Sequence, residues 1–192
     1  MNIGLTGGMG CGKSTALRLC AELGAHTFET DACVRTLLAE DTALAEEIRK
    51  LFGDTVFGAG GKVDRSSLAS IVFKDSFKLS QLESLLHPRV RAAWLKEVAA
   101  QRPLLVVEIP LLFEKELQSF FDVTCCVFSH PEIQHRSLRG RGWSAEDIAA
   151  RLARQWSLDR KAAAADVVAL NDGSLGHLRA QLSRVLGVAA GC

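Results

Sequence analysis

Residues 4–15 read Gly4-Leu5-Thr6-Gly7-Gly8-Met9-Gly10-Cys11-Gly12-Lys13-Ser14-Thr15, and this stretch decides the fold. Its last eight positions before Thr15, from Gly7 to Ser14, satisfy the pattern G-x-x-x-x-G-K-[ST] of a phosphate-binding P-loop. An apolar strand precedes the motif at residues 3–5, and apolar residues at helical spacing follow it over residues 14–23. The stretch therefore predicts a strand, a phosphate-binding turn and a helix.

Each residue type in the P-loop has a physical reason. Glycines let the backbone fold tightly and point successive N–H groups at phosphate oxygens, at the positive end of the following helix. Lys13 is predicted to reach the β- and γ-phosphates of a nucleoside triphosphate, and the Ser14 hydroxyl to bind Mg²⁺. The alternative is a glycine-rich turn that matches the pattern by chance. The residues predicted to bind the nucleotide here are Gly8, Gly10, Cys11, Gly12, Lys13, Ser14 and Thr15.

The composition limits the other function classes. Lys and Arg number 23 against 22 Asp and Glu, so no whole-molecule field draws the chain to nucleic acid or to a membrane surface. No apolar run approaches the roughly 20 residues of a membrane span, and the chain opens with a strand instead of a signal peptide. We therefore expect a cytoplasmic protein of one domain, a monomer or weak homo-oligomer, with neither nucleic acid nor membrane as a partner.

The six cysteines form no C-x-x-C pair and no cluster with histidine at zinc spacing. They are predicted to be reduced thiols that serve mainly in packing. Cys11 has two interpretations. It is either a reactive thiol, because a nearby helix N-terminus lowers the pKa of a thiol, or a residue without a role at a loop position that tolerates many side chains.

Asp31 follows a second strand, predicted at residues 26–28. Ligands of open α/β sheets lie at the carboxyl ends of strands, so Asp31 is a candidate catalytic acid. It is equally a candidate cap of the helix that follows. Residues 41–90 then carry short amphipathic helices without a long strand. They predict either a helical lobe that grips a second substrate or ordinary helical packing.

Two residues near the end of this helical region are candidate ligand contacts. His87-Pro88 is predicted to begin a helix, since proline is favoured at the first helical position. His87 is then either a cap or packing residue or a ligand contact. Arg91 is the better candidate, because a guanidinium group holds a phosphate with two hydrogen bonds.

Glu108 ends the apolar run at residues 104–108, which is typical of a buried parallel strand. It also resembles a Walker B carboxylate, which acts on Mg²⁺. Further along, residues 131–161 are the most basic stretch and read as two helices broken at residues 140–142. This stretch is either a solvated helical face or a set of cations that close over a transferring phosphoryl group. The candidate cations are Arg136, Arg139 and Arg141.

Several separated stretches together resemble the dephospho-coenzyme A kinase family over nearly the full length. The segment Pro110-Leu111-Leu112-Phe113-Glu114 is far more specific than the P-loop, which alone indicates only an NTPase. The remaining stretches are Thr30-Asp31 with Arg35, His87-Pro88-Arg89-Val90-Arg91, Gln134 with Arg136, Arg151 with Gln155, and Ala165-Asp166 with Asn171-Asp172-Gly173.

The resemblance implies an α/β fold with a P-loop NTPase core and a five-stranded parallel sheet. The core would comprise residues 1–30, 88–130 and 162–192, with an inserted helical acceptor lobe at about residues 31–87 and a helical lid at about residues 131–161. The implied reaction is ATP-dependent phosphorylation of the ribose 3′-hydroxyl of 3′-dephospho-coenzyme A, the last step of coenzyme A synthesis. The alternative is another small-molecule kinase of the same fold. A GTPase would need an Asn-Lys-x-Asp sequence, which the chain lacks. A third alternative is a nucleotide-binding module without catalysis, and the altered lid is the only feature that favours it.

The resemblance also assigns roles to individual residues. Asp31 matches the acid that takes or orients the hydroxyl proton, Arg136 matches a lid arginine, and Asn171 lies in the segment near the adenine of ATP. The expected catalytic residues are Lys13, Asp31, Arg136, Arg139 and Arg141; the expected acceptor-binding residues are Asp31, Arg35, His87, Arg91 and Glu108; the expected metal ligands are Ser14 and Glu108.

Three positions depart from the family pattern. Glu29 and Glu108 stand where the family usually has aspartate, which keeps the charge but moves each carboxylate by about one methylene. Gly140 stands where the family tends to repeat arginine, four residues after Arg136. The neighbours Arg139 and Arg141 are the candidates to supply that cation.

Overall fold

A computed structural model describes residues 1–140, 148–149, 152–153 and 155–188. By internal contacts the chain divides into two units, Met1–Glu29 with Ala100–Cys192 (the sheet unit) and Thr30–Ala99 (the helical unit). The sheet unit contains β1 Asn2–Gly7, α1 Lys13–Glu22, β2 His26–Glu29, β3 Leu105–Glu108, β4 Val123–Phe128, α6 Pro131–Arg139, α7 Leu158–Ala164, β5 Val167–Leu170 and α8 Leu175–Leu186. The helical unit contains α2 Thr30–Glu40, α3 Thr42–Phe52, α4 Arg65–Val72 and α5 Ser76–Ala99.

The strands form one five-stranded parallel sheet in the order β2-β3-β1-β4-β5. β1 lies at the centre, and all of its residues after Asn2 are buried, as expected for a parallel strand covered on both faces. Because the strands are parallel, their carboxyl ends share one edge of the sheet, where Gly7, Glu29 and Glu108 lie. The predicted α/β fold with a five-stranded parallel sheet is confirmed.

An aliphatic core holds α1 and α8 on the sheet. Its members have relative exposures of 8% or less, and the cluster is continuous from the strands into both helices. The strands contribute Ile3, Leu5, Val106, Cys125, Val127 and Ala169, and the helices contribute Ala16, Leu17, Leu19, Cys20, Leu178, Leu182 and Leu186. Burial raises the pKa of the Cys20 and Cys125 thiols to about 12, so both stay protonated packing residues at neutral pH.

The helical unit has its own aliphatic core. Leu44 and Ile48 of α3 are fully buried against residues of the other helices: Leu38, Val56, Leu68, Val72, Leu82 and Leu86. Aspartates cap two of its helices, since the Asp41 carboxylate accepts from the Leu44 N–H and the Asp64 carboxylate from the Ser66 and Ser67 N–H groups. The Ser67 hydroxyl also donates to the Asp64 carboxylate, and this bond, together with those from the two N–H groups, lowers the pKa of Asp64.

The prediction that His87-Pro88 begins a helix is wrong, because α5 runs unbroken from Ser76 to Ala99 with Pro88 inside it. Proline removes one backbone donor from a helix interior and usually breaks it. Here Leu82, Leu86, Val90 and Trp94 are buried at a spacing of four residues on both sides of the proline. This apolar stripe continues through Pro88, and its packing outweighs the local preference.

The same helix sets the limits of the helical unit. The unit spans residues 30–99, whereas the acceptor lobe was expected at about residues 31–87. The expected lobe ends near residue 87, whereas the observed unit ends at Ala99, because the C-terminal half of α5 belongs to the helical unit. Of the helices that the described residues form, none is both long enough and apolar enough to cross a membrane.

Candidate active site

The P-loop connects β1 to α1 at the carboxyl edge of the sheet, and two of its glycines are required by its geometry. Gly10 and Gly12 have φ values of 82° and 86°, a region that residues with side chains rarely adopt. A Cβ atom at Gly12 would lie 2.2 Å from the amide nitrogen of Asn171, and one at Gly10 would lie 2.9 Å from the Leu138 side chain. The turn thus depends on glycine for both its conformation and its packing.

Lys13 is the first residue of α1. Its ammonium group donates to the carbonyl oxygens of Gly7 at 3.3 Å and Gly8 at 3.0 Å, so it lies over the turn. The N–H groups of the first helical turn have no partner within the helix and make its N-terminus attractive to anions. A lysine and a helix N-terminus together form an arrangement that binds phosphate groups.

Ser14 and Glu108, which were predicted to bind Mg²⁺, offer a hydroxyl oxygen and a carboxylate, and this ion takes oxygen ligands. Ser14 is exposed in the first turn of α1. Glu108 is 5% exposed, and in the strand register it is paired with Leu5 of β1 and with Glu29 of β2. Magnesium takes oxygen ligands and is commonly held by one or two side chains together with substrate phosphates. In the part of the chain that the structure describes, no group of three or more His, Cys, Asp or Glu side chains could hold a metal alone.

Arg136 and Arg139 lie on one face of α6. With Glu132 and His135 they line a cavity of about 450 Å³. The predicted cation Arg141 and the family match Arg151 lie outside the described residues. Gly140 follows α6 with φ −64° and ψ −9°, and the nearest atom to a Cβ placed there would be 3.7 Å away. Nothing in the described backbone therefore requires glycine where the family tends to have arginine.

A second face of α6 contacts the P-loop. The Gln134 amide donates to the Met9 carbonyl at 2.7 Å. From the other side, the amide of Asn171, the residue after β5, donates to the Cys11 carbonyl at 2.9 Å. Asn171 was expected near the adenine of ATP, and the contact that its amide makes in the structure is with the P-loop. Cys11 is fully buried, which favours its interpretation as a packing residue.

Lys161 forms a buried polar cluster next to these elements. Its side chain is 0% exposed, and its ammonium group donates to the Pro110 carbonyl at 2.6 Å and pairs with the Glu114 carboxylate at 3.0 Å. The same carboxylate oxygen accepts from the Trp156 N–H at 2.8 Å, and the Thr6 hydroxyl donates to the Pro110 carbonyl at 3.3 Å. The cluster fixes the segment after β3 against the last residue of β1 before the P-loop.

The helical unit carries the residues that were expected to bind the acceptor. Asp31 and Arg35 are exposed one turn apart at the start of α2, and His87 and Arg91 are exposed one turn apart on α5. Because α2 begins at Thr30, Asp31 lies inside the first turn and is not the capping residue. Arg89, on the same helix, pairs with Glu47 at 2.7 Å and Asp41 at 3.4 Å, which raises its pKa and makes it structural.

Comparison with known proteins identifies the family. A family model described as dephospho-CoA kinase matches residues 1–177. This chain belongs to the dephospho-CoA kinase family. A dephospho-CoA kinase from Gloeobacter violaceus is 40% identical over 189 residues, which cover 98% of this chain and 92% of that protein. One from Geobacillus kaustophilus is 35% identical, with 97% and 95% covered.

Solved structures agree with this membership of the dephospho-CoA kinase family. A Thermus thermophilus crystal structure is 36% identical with a TM-score of 0.79 and covers 97% of this chain and 96% of that one. A dephospho-CoA kinase from Campylobacter jejuni is 25% identical with a TM-score of 0.68, and 97% and 95% of the two chains are covered. A shikimate kinase from Acinetobacter baumannii, 18% identical with a TM-score of 0.52 and coverages of 96% and 90%, shares the P-loop kinase fold.

Sequence reasoning missed the polar cluster in this member of the dephospho-CoA kinase family. Lys161 was counted only among the charges of a basic stretch. Its local sequence provided little signal, because Lys161 directly follows Asp159 and Arg160 in a charged stretch, and a lysine is almost never fully buried unless it is paired. Its partner Glu114 was noticed only as part of the family segment.

Proposed function

We propose that the chain is a dephospho-CoA kinase, which transfers the γ-phosphoryl group of ATP to the ribose 3′-hydroxyl of 3′-dephospho-CoA and releases CoA and ADP. The observation that carries this proposal is the P-loop with Lys13 at the carboxyl edge of a five-stranded parallel sheet, in a chain that matches the family over residues 1–177. Transfer to an alcohol needs little covalent work from the protein, and positioning with electrostatic stabilisation suffices.

The sheet unit would bind the nucleotide. The amides of the P-loop and Lys13 would hold the phosphates of ATP, and Ser14 and Glu108 would hold Mg²⁺. When bound, that ion supplies charge neutralisation at the transferring phosphoryl group. Arg136 and Arg139 on α6, together with Arg141, would supply further positive charge as it develops on the equatorial oxygens.

The helical unit would supply the acceptor site. Asp31 would orient the ribose hydroxyl or take its proton, which calls for an accessible carboxylate, and the Asp31 side chain is exposed. Arg35, His87 and Arg91 would bind the anionic acceptor. We propose that the enzyme acts in the cytoplasm as a monomer or weak homo-oligomer, with no nucleic-acid partner.

The test is ADP release from Mg-ATP with and without 3′-dephospho-CoA, with shikimate and AMP as alternative acceptors. We expect ADP to form with 3′-dephospho-CoA in equal amount to CoA identified by mass. ADP formation that depends on one of the other acceptors instead would assign a different kinase of the same fold.

Lys13→Ala supplies the matched variant for this assay. It should lower transfer by about 10²- to 10³-fold, because a preorganised cation at the phosphates is lost. The control Lys62→Ala removes an exposed lysine of the helical unit and should keep full activity. A fully active Lys13→Ala protein would contradict the assignment.

A further inference from the structure

The P-loop binds phosphate through its N–H groups, so its carbonyl groups must point elsewhere and find other partners. Gly10 and Gly12 have positive φ values, whereas Met9, before Gly10, and Cys11, between the two glycines, have negative ones. Such alternation makes successive N–H groups converge into an anion-binding concavity. It also turns the carbonyls outward, where an unpaired acceptor in a partly buried site is unfavourable.

Side-chain amides from two different elements engage these outward carbonyls. Gln134 of α6 donates to the Met9 carbonyl at 2.7 Å, and Asn171 after β5 donates to the Cys11 carbonyl at 2.9 Å. The two acceptors are alternate residues of the loop, on either side of Gly10. The Lys13 ammonium group donates to the carbonyls of the first two glycines of the loop, Gly7 and Gly8.

The packing around the loop is tight enough to make these contacts specific. The Asn171 amide nitrogen would be 2.2 Å from a Cβ atom at Gly12, and the Gln134 amide nitrogen 2.7 Å from one at Gly8. The Gln134 carbonyl would be 3.0 Å from a Cβ atom at Gly10. The glycines thus make room for the two amides as well as for the turn.

We propose that Asn171 and Gln134 are positioning residues that hold the P-loop carbonyls outward and so preorganise its N–H groups for phosphate. This inference rests on the proposed nucleotide-binding role of the P-loop. It gives Asn171 a role that does not involve the base of the nucleotide. Removing either donor leaves a loop carbonyl unpaired, and the loop then loses part of the orientation that makes its N–H groups converge.

Gln134 also links the loop to the arginines of α6. At 100° per residue, Gln134 and Leu138, which contact the loop glycines, lie on one side of the helix. The cavity-lining residues Glu132, His135, Arg136 and Arg139 lie on another side, centred about 130° away. The amide contact therefore fixes the rotation of α6 about its axis and with it the direction in which both arginines face.

The test compares phosphate binding with and without a base. Dissociation constants for ATP, GTP and inorganic triphosphate are measured by equilibrium binding for the wild type, Asn171→Leu and Gln134→Leu, since both substitutions remove the amide donor without adding charge. The control Asp172→Asn changes the neighbouring residue, whose carboxylate accepts from the His130 N–H at 2.8 Å. Both positioning variants should weaken all three ligands by the same factor, about tenfold, since an acceptor is left unpaired.

A spectroscopic readout separates positioning from loss of fold. In the wild type and in Asp172→Asn, the amide proton resonances of Gly10 and Gly12 should move downfield when inorganic triphosphate is added. In Asn171→Leu and Gln134→Leu that shift should fall, while the resonances of the sheet core stay unchanged.

The proposal is overturned if Asn171→Leu weakens ATP alone and leaves inorganic triphosphate unaffected, because Asn171 would then read the adenine. It is also overturned if neither variant changes any of the three dissociation constants. If Asn171→Leu does not fold, Gln134→Leu decides by the same two criteria. A wild type that binds none of the three ligands would contradict the proposed function itself, which is a different result from a variant that binds triphosphate normally.

Discussion

The two units of the molecule hold their candidate functional residues differently. The sheet unit combines both kinds of placement: Cys11 is fully buried and Glu108 is 5% exposed, whereas Ser14, Arg136 and Arg139 are exposed. In the helical unit Asp31, Arg35, His87 and Arg91 are all exposed on helix surfaces, above a core of aliphatic residues. The difference fits the proposed roles, with a buried loop and strand end beneath the side chains at the phosphate end and individual exposed side chains at the acceptor end.

The largest effect is expected at the buried pair of the sheet unit. Lys161→Met leaves the Glu114 carboxylate without its ammonium partner and should destabilise the protein by about 3–5 kcal/mol, because an uncompensated charge stays buried. The double variant Lys161→Met with Glu114→Gln removes both charges and should recover most of that loss. Urea unfolding of the two single variants and the double variant measures the coupling.

If the free-energy losses of the two single variants simply add up in the double variant, Lys161 and Glu114 are not coupled. The interior of the sheet unit would then depend on no specific pair, which contradicts the contrast drawn between the two units. Lys161→Arg offers a further check, because it keeps the charge and should be less destabilising than Lys161→Met.

The next effect concerns the acceptor end. Asp31→Asn should lower kcat by about 10²-fold if the carboxylate acts as a general base, and the dissociation constant for ATP should stay the same. The matched control is Glu40→Gln, which removes an exposed carboxylate at the other end of α2. Steady-state kinetics with equilibrium ATP binding distinguish the two. A large loss of ATP affinity in Asp31→Asn would contradict the assignment of this residue to the acceptor end.

A smaller effect is expected from a cation on α5. Arg91→Ala should raise KM for 3′-dephospho-CoA about tenfold, since one charge-assisted hydrogen bond to an anionic substrate is lost, and KM for ATP should not change. Lys96→Ala, an exposed lysine on the same helix, is the control. If both variants raised KM for the acceptor equally, general electrostatic attraction would replace a specific contact.

The smallest effect belongs to the edge of the sheet that faces away from the P-loop. The Asp166 carboxylate accepts from the Thr124 hydroxyl at 2.7 Å and the Thr124 N–H at 2.8 Å, and these bonds lower its pKa below 3.8. A group whose folded-state pKa is lowered stabilises the fold above its unfolded pKa and loses that contribution as the pH falls through the folded value. Stability should therefore decline below about pH 3.8 in the wild type and less steeply in Asp166→Asn.

Urea midpoints between pH 7 and pH 3 measure this slope. Because Asp166 is largely exposed, solvent screening keeps the effect small. Identical acid limbs in the two proteins would exclude a contribution from this hydrogen-bonded carboxylate, and catalytic activity at neutral pH should not differ.

The sheet unit and the helical unit also differ in how much of each can be predicted from the sequence. The P-loop is a local pattern whose backbone conformation follows from its glycines, so β1, the turn and α1 are predictable to within one or two residues at each boundary. Glu108 is predictable because a buried apolar strand must end at the carboxyl edge of the sheet. The helical unit is predictable as helices, but Pro88 misplaced a boundary, because the apolar stripe of α5 that outweighs it is a property of packing.

Contacts between distant segments could not be read from the sequence. The Asn171–Cys11 and Gln134–Met9 hydrogen bonds join residues 160 and 125 positions apart, and no local pattern encodes such a pairing. The burial of Lys161 likewise depends on Pro110 and Glu114 arriving from another element. The resemblance to the family supplied Asn171 as a candidate, while its contact became visible only in the fold.

The identity of the phosphorylated product shows whether the protein performs the proposed reaction, in which the sheet unit would deliver the phosphoryl group and the helical unit would select the hydroxyl that receives it. The wild-type chain is incubated with Mg-ATP and 3′-dephospho-CoA, and the position of the new phosphate on the product is determined by phosphorus NMR and mass. We predict one ADP for each product molecule and a phosphate on the ribose 3′-hydroxyl. Phosphate on another hydroxyl, or ADP formed at the same rate without the acceptor, would contradict it.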